Sequence, residues 1–316
     1  MRLEIEKIGP PRWNAAYRCT SRDAELIVET GIGPRILSLK WAGSPNLLYE
    51  DDTQFGVGAW RLYGGHRFAT APESKLSYFP DNRPCRVTAD SQRLRIEQVR
   101  MPMGLRKTLT IEPSPEADGF VLHHDLDHAG SAPWSGAIWT ILCVPAIGCV
   151  RIPTRPVAGL DSDEVCHFWN CPGWYTANPA SRQWRQEEGL FSVLPRGETA
   201  KVGIYSPDGR LDFEHPAAGL TLLQTEIPPR ESCPHQGCNI EVFTAPRYLE
   251  LEMLGKVTTL QPGDSMRLTQ HWLLSPPIPG RPALSIPSPG FSRLRVVRDL
   301  PPNDLTDVFV VSPATA

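Results

Sequence analysis

The sequence predicts an all-β protein, a large antiparallel β-sandwich, on three observations. Proline (33) and glycine (25) recur throughout the 316 residues, and both punctuate a chain into short segments. Between them lie short runs rich in Val, Ile, Leu, Thr and aromatic residues, the composition of strands. Several runs alternate apolar with polar residues, as in RKTLTI and SMRLTQHWLL, so that one face is buried and the other wet.

Taken in order, the clearest strands are expected over 24–29, 35–41, 94–99, 105–111, 120–127, 138–144, 201–205, 248–253 and 265–273. Long helices are hard to place. Two stretches break the rhythm. Residues 43–84 carry Trp60, Tyr63, His66, Arg67, Glu73, Tyr78, Asp81 and Asn82 with little periodicity, and read as a long loop with a role beyond connection. Residues 161–184 cluster Trp169, Trp174, Tyr175 and Trp184 among polar residues. Aromatic rings beside Asn, Asp and Arg suit a sugar site, because the apolar face of a pyranose stacks on a ring while its hydroxyls take directed hydrogen bonds. The same tryptophans could equally fill the edge of a large sandwich.

The chain is expected to form one domain over 1–316, with 275–316, rich in Pro and Ser, as an extended C-terminal strap. Hydrophobic residues make up 41% and charged residues 21%, a globular balance. Net charge is −3 from 32 basic and 35 acidic residues, with no concentrated basic stripe, so nucleic acid is not an expected partner. The opening MRLEIEKIGPPRW lacks the apolar stretch of a signal peptide, and no later run reaches membrane-spanning length. The expectation is a cytoplasmic protein without membrane contact; oligomeric state is left open.

The eight cysteines are expected to be reduced thiols. Cys166, His167 and Cys171, and Cys233, His235 and Cys238, could supply soft metal ligands, but neither set has a paired CxxC motif. No metal and no cofactor is expected. A metal-dependent β-barrel enzyme built on His66, His235 and His271 is a weaker alternative, its ligands scattered without a spacing motif.

Three segments carry a family resemblance. GIGPRILSLKWAGSPNLLYE resembles the opening of aldose 1-epimerase relatives. RLYGGHRFATAPE with YFPDNRP is similar to a bacterial family of unassigned function in the galactose mutarotase-like superfamily, and to the Gly-Gly segment lining the sugar site of hexose-phosphate epimerases. CNIEVFTAPRYLELEMLGKVTTLQPGDSMRLTQHWLL resembles the close of the same fold. The resemblance implies the galactose mutarotase-like supersandwich and a small-molecule carbohydrate as partner. It also implies mutarotase or epimerase chemistry, in which a base takes the anomeric proton while an acid protonates the ring oxygen.

By position in the family motif, Glu241 corresponds to the catalytic base. His66 is the best available acid, with Arg67 and Glu73 beside it as substrate-binding residues, together with Asp81, Asn82, Trp139, Trp169 and Trp174. The chain departs from the family at mid-sequence: where true aldose 1-epimerases carry an acid histidine, the strand AIWTILCVP offers Trp139. A stacking platform there leaves two other readings open, a non-catalytic carbohydrate-binding protein and a lyase or glycosidase on the same fold.

Overall fold

The computed structural model describes residues 2–9, 15–53, 55–98, 101–154, 166–171 and 174–277. Residues 278–316 of the expected strap lie outside them. The chain opens with β1 (Glu4–Ile8), β2 (Ala16–Ser21), β3 (Ala24–Glu29) and β4 (Arg35–Trp41), hydrogen-bonded in that order. A short hairpin of β5 (Gly56–Val57) and β6 (Trp60–Arg61) precedes β7 (His66–Ala71). There follow β8 (Arg86–Ala89), β9 (Leu94–Glu97), β10 (Leu105–Pro113), β11 (Gly119–His128), β12 (Trp134–Pro145) and β13 (Cys149–Pro153). Then come β14 (Cys166–Cys171), β15 (Tyr175–Thr176), β16 (Trp184–Glu187), β17 (Leu190–Val193), β18 (Ala200–Ile204), β19 (Arg210–His215) and β20 (Ala218–Gln224). The described strands close with β21 (Ile240–Thr244), β22 (Tyr248–Leu254), β23 (Thr258–Leu260) and β24 (Ser265–Ser275).

Two large antiparallel sheets dominate. The first runs β16-β17-β13-β19-β20-β24-β11-β10-β9-β8. The second runs β15-β14-β18-β21-β22-β12-β23, with β7 also paired to β12. Their shared core takes Leu109, Phe120, Phe213 and Trp272 from the first sheet and Leu142, Phe168, Val202, Val242 and Leu251 from the second. Period-2 alternation decides these sides. In β22, Leu249, Leu251 and Met253 join that core, so Glu250 and Glu252 project from the opposite face of the second sheet.

The long loop expected over 43–84 contains β7, whose six residues are all buried. HRFATA carries no polar/apolar alternation because both of its faces are covered, and this conceals a strand in the sequence. Gly64 and Gly65 lead into it with φ of 82° and 60°, the left-handed region that favours glycine. A Cβ on Gly65 would stand 2.1 Å from the Ile36 carbonyl oxygen, and one on Gly64 2.2 Å from that of Tyr49. These glycines let the chain cross closely over its neighbours before the strand begins.

Candidate active site

The outer face of the second sheet forms the floor of an open cavity of about 930 Å³ including its mouth. Alternation delivers the floor: Arg67 from β7, Trp139, Ile141 and Cys143 from β12, Lys201 from β18, Phe243 from β21 and Tyr248 and Glu250 from β22 all line it. Trp60, Glu73 and Tyr78 form one wall, Trp174 and Tyr175 another. Phe55 and Trp174, each 39% exposed, stand at the mouth.

A chain of charged groups lies in and under the floor. The ammonium of Lys201 sits 2.8 Å from Glu241 Oε2, 2.9 Å from Glu252 Oε2, and 4.9 Å above the Trp139 ring. Trp139 Nε1 donates to Glu252 Oε2 at 2.8 Å. His235 Nδ1 donates to Glu241 Oε1 at 3.0 Å, while its Nε2 accepts the backbone N–H of Glu73 at 2.9 Å. Since a backbone N–H can only donate, the second contact fixes the Nδ1–H tautomer. His235 is held edge-on to Trp139 and Trp169, at ring separations of 5.5 and 6.2 Å. Its left-handed φ of 51°, followed by 64° at Gln236, is costly for side-chain-bearing residues and marks a tightly constrained segment.

One cation cannot keep two buried carboxylates equally ionised. Burial alone would raise the carboxyl of Glu241, but Lys201 and His235 outweigh it and hold the group below its ordinary range. Burial, reinforced by repulsion from Glu241 and Glu250, pushes Glu252 well up. Lys201 is held strongly cationic, its two carboxylate neighbours overcoming the burial that would lower it. Glu250 differs from both: it lines the cavity and, among the described residues, accepts only a long contact from the Cys143 thiol, 3.8 Å. Enclosure by protein pushes it up to about 7. Tyr78 donates its hydroxyl to Glu73 Oε1, and burial keeps that phenol protonated by raising it further.

Of the residues singled out in the sequence, Arg67, Glu73, Trp139 and Trp174 line the cavity. Glu241 lies one layer behind, reaching it through Lys201 and His235. Trp169 packs beneath, 3% exposed. Asp81 is buried with its carboxylate 2.6 Å from Arg35 and 3.7 Å from Arg67. Asn82 accepts from Tyr63 and donates to the Ala59 carbonyl; it braces loops and is not part of the lining.

His66 requires correction as the acid, because it faces away from the cavity. Neighbours in a strand point to opposite faces, so with Arg67 on the floor, His66 enters the space between the sheets. There it is fully buried, 5.5 Å from the Trp272 ring. His124 Nδ1 donates to the Leu268 carbonyl at 3.3 Å, so its Nε2 accepts the Nε2–H of His66 at 2.9 Å. Burial drives both imidazoles down, His66 well below its usual value and His124 to about 3. Both are neutral when folded and protonate near pH 6.5 when unfolded. Stability is therefore full above about pH 6.5 and falls below it as each histidine of the unfolded chain takes up a proton, the His124 contribution being lost as the pH drops towards about 3. Urea unfolding at stepped pH should show this slope, and His124→Gln should flatten it; an unchanged slope would remove the pair from the account.

Among the described residues no group of three His, Cys, Asp or Glu is arranged to hold a metal. No described helix is long and apolar enough to cross a membrane. Lys201, Glu250 and Glu252 were missed in the sequence. Their signal was a charged residue at the non-core parity of neighbouring apolar strands, in AKVGI and YLELEML, which becomes visible only when the sheet order is known.

No family model and no curated protein matches the chain. Solved structures do. A galactose mutarotase-like protein from Lactobacillus casei ATCC 334 aligns with TM-score 0.58 at 11% identity, over 86% of this chain and 100% of that one. A provisionally assigned aldose 1-epimerase from Escherichia coli K12 aligns with TM-score 0.59 at 10% identity, over 87% and 99%. Another provisional aldose 1-epimerase, from Klebsiella pneumoniae subsp. pneumoniae MGH 78578, gives 0.55 at 12% identity, over 86% and 83%. The fold is that of galactose mutarotase-like proteins.

Proposed function

We propose that the cavity binds a small sugar and catalyses proton transfer at its anomeric centre, as a mutarotase or epimerase does. The observation that carries this reading is Glu250: a carboxyl group on the floor of an aromatic-walled cavity, without a direct ion pair to any cation among the described residues, and raised to about 7. Such a group gives and accepts a proton near neutrality, the property an acid–base catalyst needs. Trp139, Trp174 and Tyr175 supply faces for a pyranose, and Glu73, held by Tyr78, supplies the second carboxyl.

Glu241 then acts as a positioning residue: it keeps Lys201 charged against the floor and His235 in the tautomer that accepts from Glu73. Catalysis of ring opening would pair Glu250, donating to the ring oxygen, with Glu73, taking the anomeric proton. The reclosed ring restores both groups, so neither an oxidant nor a leaving group is required.

NMR exchange between α and β anomers tests this across aldoses and uronic acids. Glu250→Gln is expected to slow exchange by about 100-fold or more, and wild-type activity should change with a midpoint near pH 7, set by Glu250. Saturation-transfer signals with no acceleration for any sugar would leave a binding protein on the same fold.

A further inference from the structure

Behind the Arg67 side of the cavity, three buried basic groups share one ion-paired carboxylate among the described residues. Arg35, Arg67 and Lys107 are 0%, 7% and 5% exposed. Asp81 is the only carboxylate among the described residues that forms an ion pair with either arginine, at 2.6 Å to Arg35 and 3.7 Å to Arg67. Lys107 turns its ammonium to the Phe68 carbonyl at 2.5 Å. Burial, and after the opposing pull of Asp81 the two guanidiniums, lower it to about 7. Hydrogen-bonding capacity is in surplus as well: among the described residues Arg35 Nε and Nη1 and Arg67 Nε are buried without a hydrogen-bond partner, the last facing Asp81 only at ion-pair distance. Excess buried charge is expensive unless an opposite charge meets it.

Arg67 is the member of this cluster that lines the cavity. Its guanidinium lies 5.0 Å over the Trp60 ring, and its Nη2 donates to the Phe79 carbonyl at 3.4 Å. Nη1 makes no hydrogen bond among the described residues. Lys201, the other cation that lines the cavity, acts on Glu250 more strongly than Arg67 does, but it is already paired with Glu241 and Glu252; Arg67 is the cavity cation with a donor to spare.

We infer that the preferred ligand is a sugar carrying a carboxylate, a uronic acid, with that carboxylate on Arg67 beside Trp60 and the anomeric carbon towards Glu250. The inference rests on the sugar-site reading above and narrows it. A planar carboxylate matches the flat fork of one guanidinium. A phosphate dianion would bring twice the charge into a cavity that Glu73 and Glu250 also line.

Titration calorimetry on the whole chain decides the matter, with glucuronate, galacturonate, glucose, galactose and glucose 6-phosphate as probes. The uronates are expected to bind about tenfold or more tightly than their neutral counterparts. Arg67→Lys should lower the ratio of uronate to neutral-sugar affinity severalfold, because lysine keeps the charge and loses the fork. Equal affinity for uronates and neutral sugars would overturn the inference and spare the sugar site; tighter binding of the phosphate would overturn it in favour of a phosphosugar. Failure of all five probes to bind, by calorimetry and saturation transfer, would instead defeat the sugar-site reading itself. The wild-type affinity ratio needs no variant, so the test stands even if Arg67→Lys does not fold.

Discussion

Lys201→Met is expected to destabilise the fold by about 3–5 kcal/mol, the characteristic loss when one partner of a buried ion pair is removed and the other stays behind. The lysine stands between Glu241 and Glu252, both of which are completely buried. Without it, Glu241 keeps His235 alone, and burial, now opposed by less positive charge, would drive its carboxyl upward. Methionine has nearly the same length and fills the same space over Trp139, so lost packing contributes little. Urea unfolding at pH 7 measures the effect. The double variant Lys201→Met, Glu241→Gln should recover part of the loss, since it removes the stranded charge with its cause. A single-variant loss below about 1 kcal/mol would mean that water reaches these carboxylates and that the chain of charges is weaker than its geometry implies.

Asp81→Asn is expected to have an effect of similar size, about 3–5 kcal/mol, for the converse reason: it strands cations. Arg35 is 0% exposed and has Asp81 as its carboxylate partner. Asp81 is held at about 2; its burial would raise it, and Arg35, Arg67 and Lys107 together outweigh that. Sign and window follow: this carboxylate's contribution is present above about pH 4, its unfolded value, and is lost as the pH falls towards 2. The asparagine variant should lack that acid-dependent component in stepped-pH unfolding and start from a lower plateau at pH 7. It should also loosen Arg67, whose Nε faces the same carboxylate at 3.7 Å. A variant as stable as wild type at pH 7 would show that Arg35 finds another counter-charge.

How far the sequence revealed these features depends on what each required. Strand alternation is a local property, so Ala24–Glu29 and Arg35–Trp41 appear with the bounds expected of them, and Leu105–Pro113 with two residues added. β7 escaped because a strand buried on both faces loses its period. The site was harder. Arg67 and Trp139 could be picked out as conspicuous side chains, but a motif alone does not give parity, and parity turns His66 into the core when Arg67 faces the cavity. Glu241 was visible as a carboxylate in an apolar strand; that Lys201 and His235 stand between it and the cavity depends on β18 pairing with β21 and on His235, six residues upstream, folding back over the sheet. Glu250, one strand further on, is separated from Glu241 by pairing geometry that no local pattern encodes.

The crossing at Gly64 and Gly65 bears on stereochemical discrimination. Both glycines line the cavity, yet their backbone groups are largely spoken for: Gly64 N–H donates to Leu62, Gly65 N–H to Tyr49, and the Gly65 carbonyl accepts from Cys143. This panel therefore presents a smooth, chemically quiet surface that limits how thick a ligand can be without distinguishing axial from equatorial hydroxyls. The choice between epimers falls to the polar side chains of the other walls, so a change of sugar preference can arise there while the glycine crossing stays as it is.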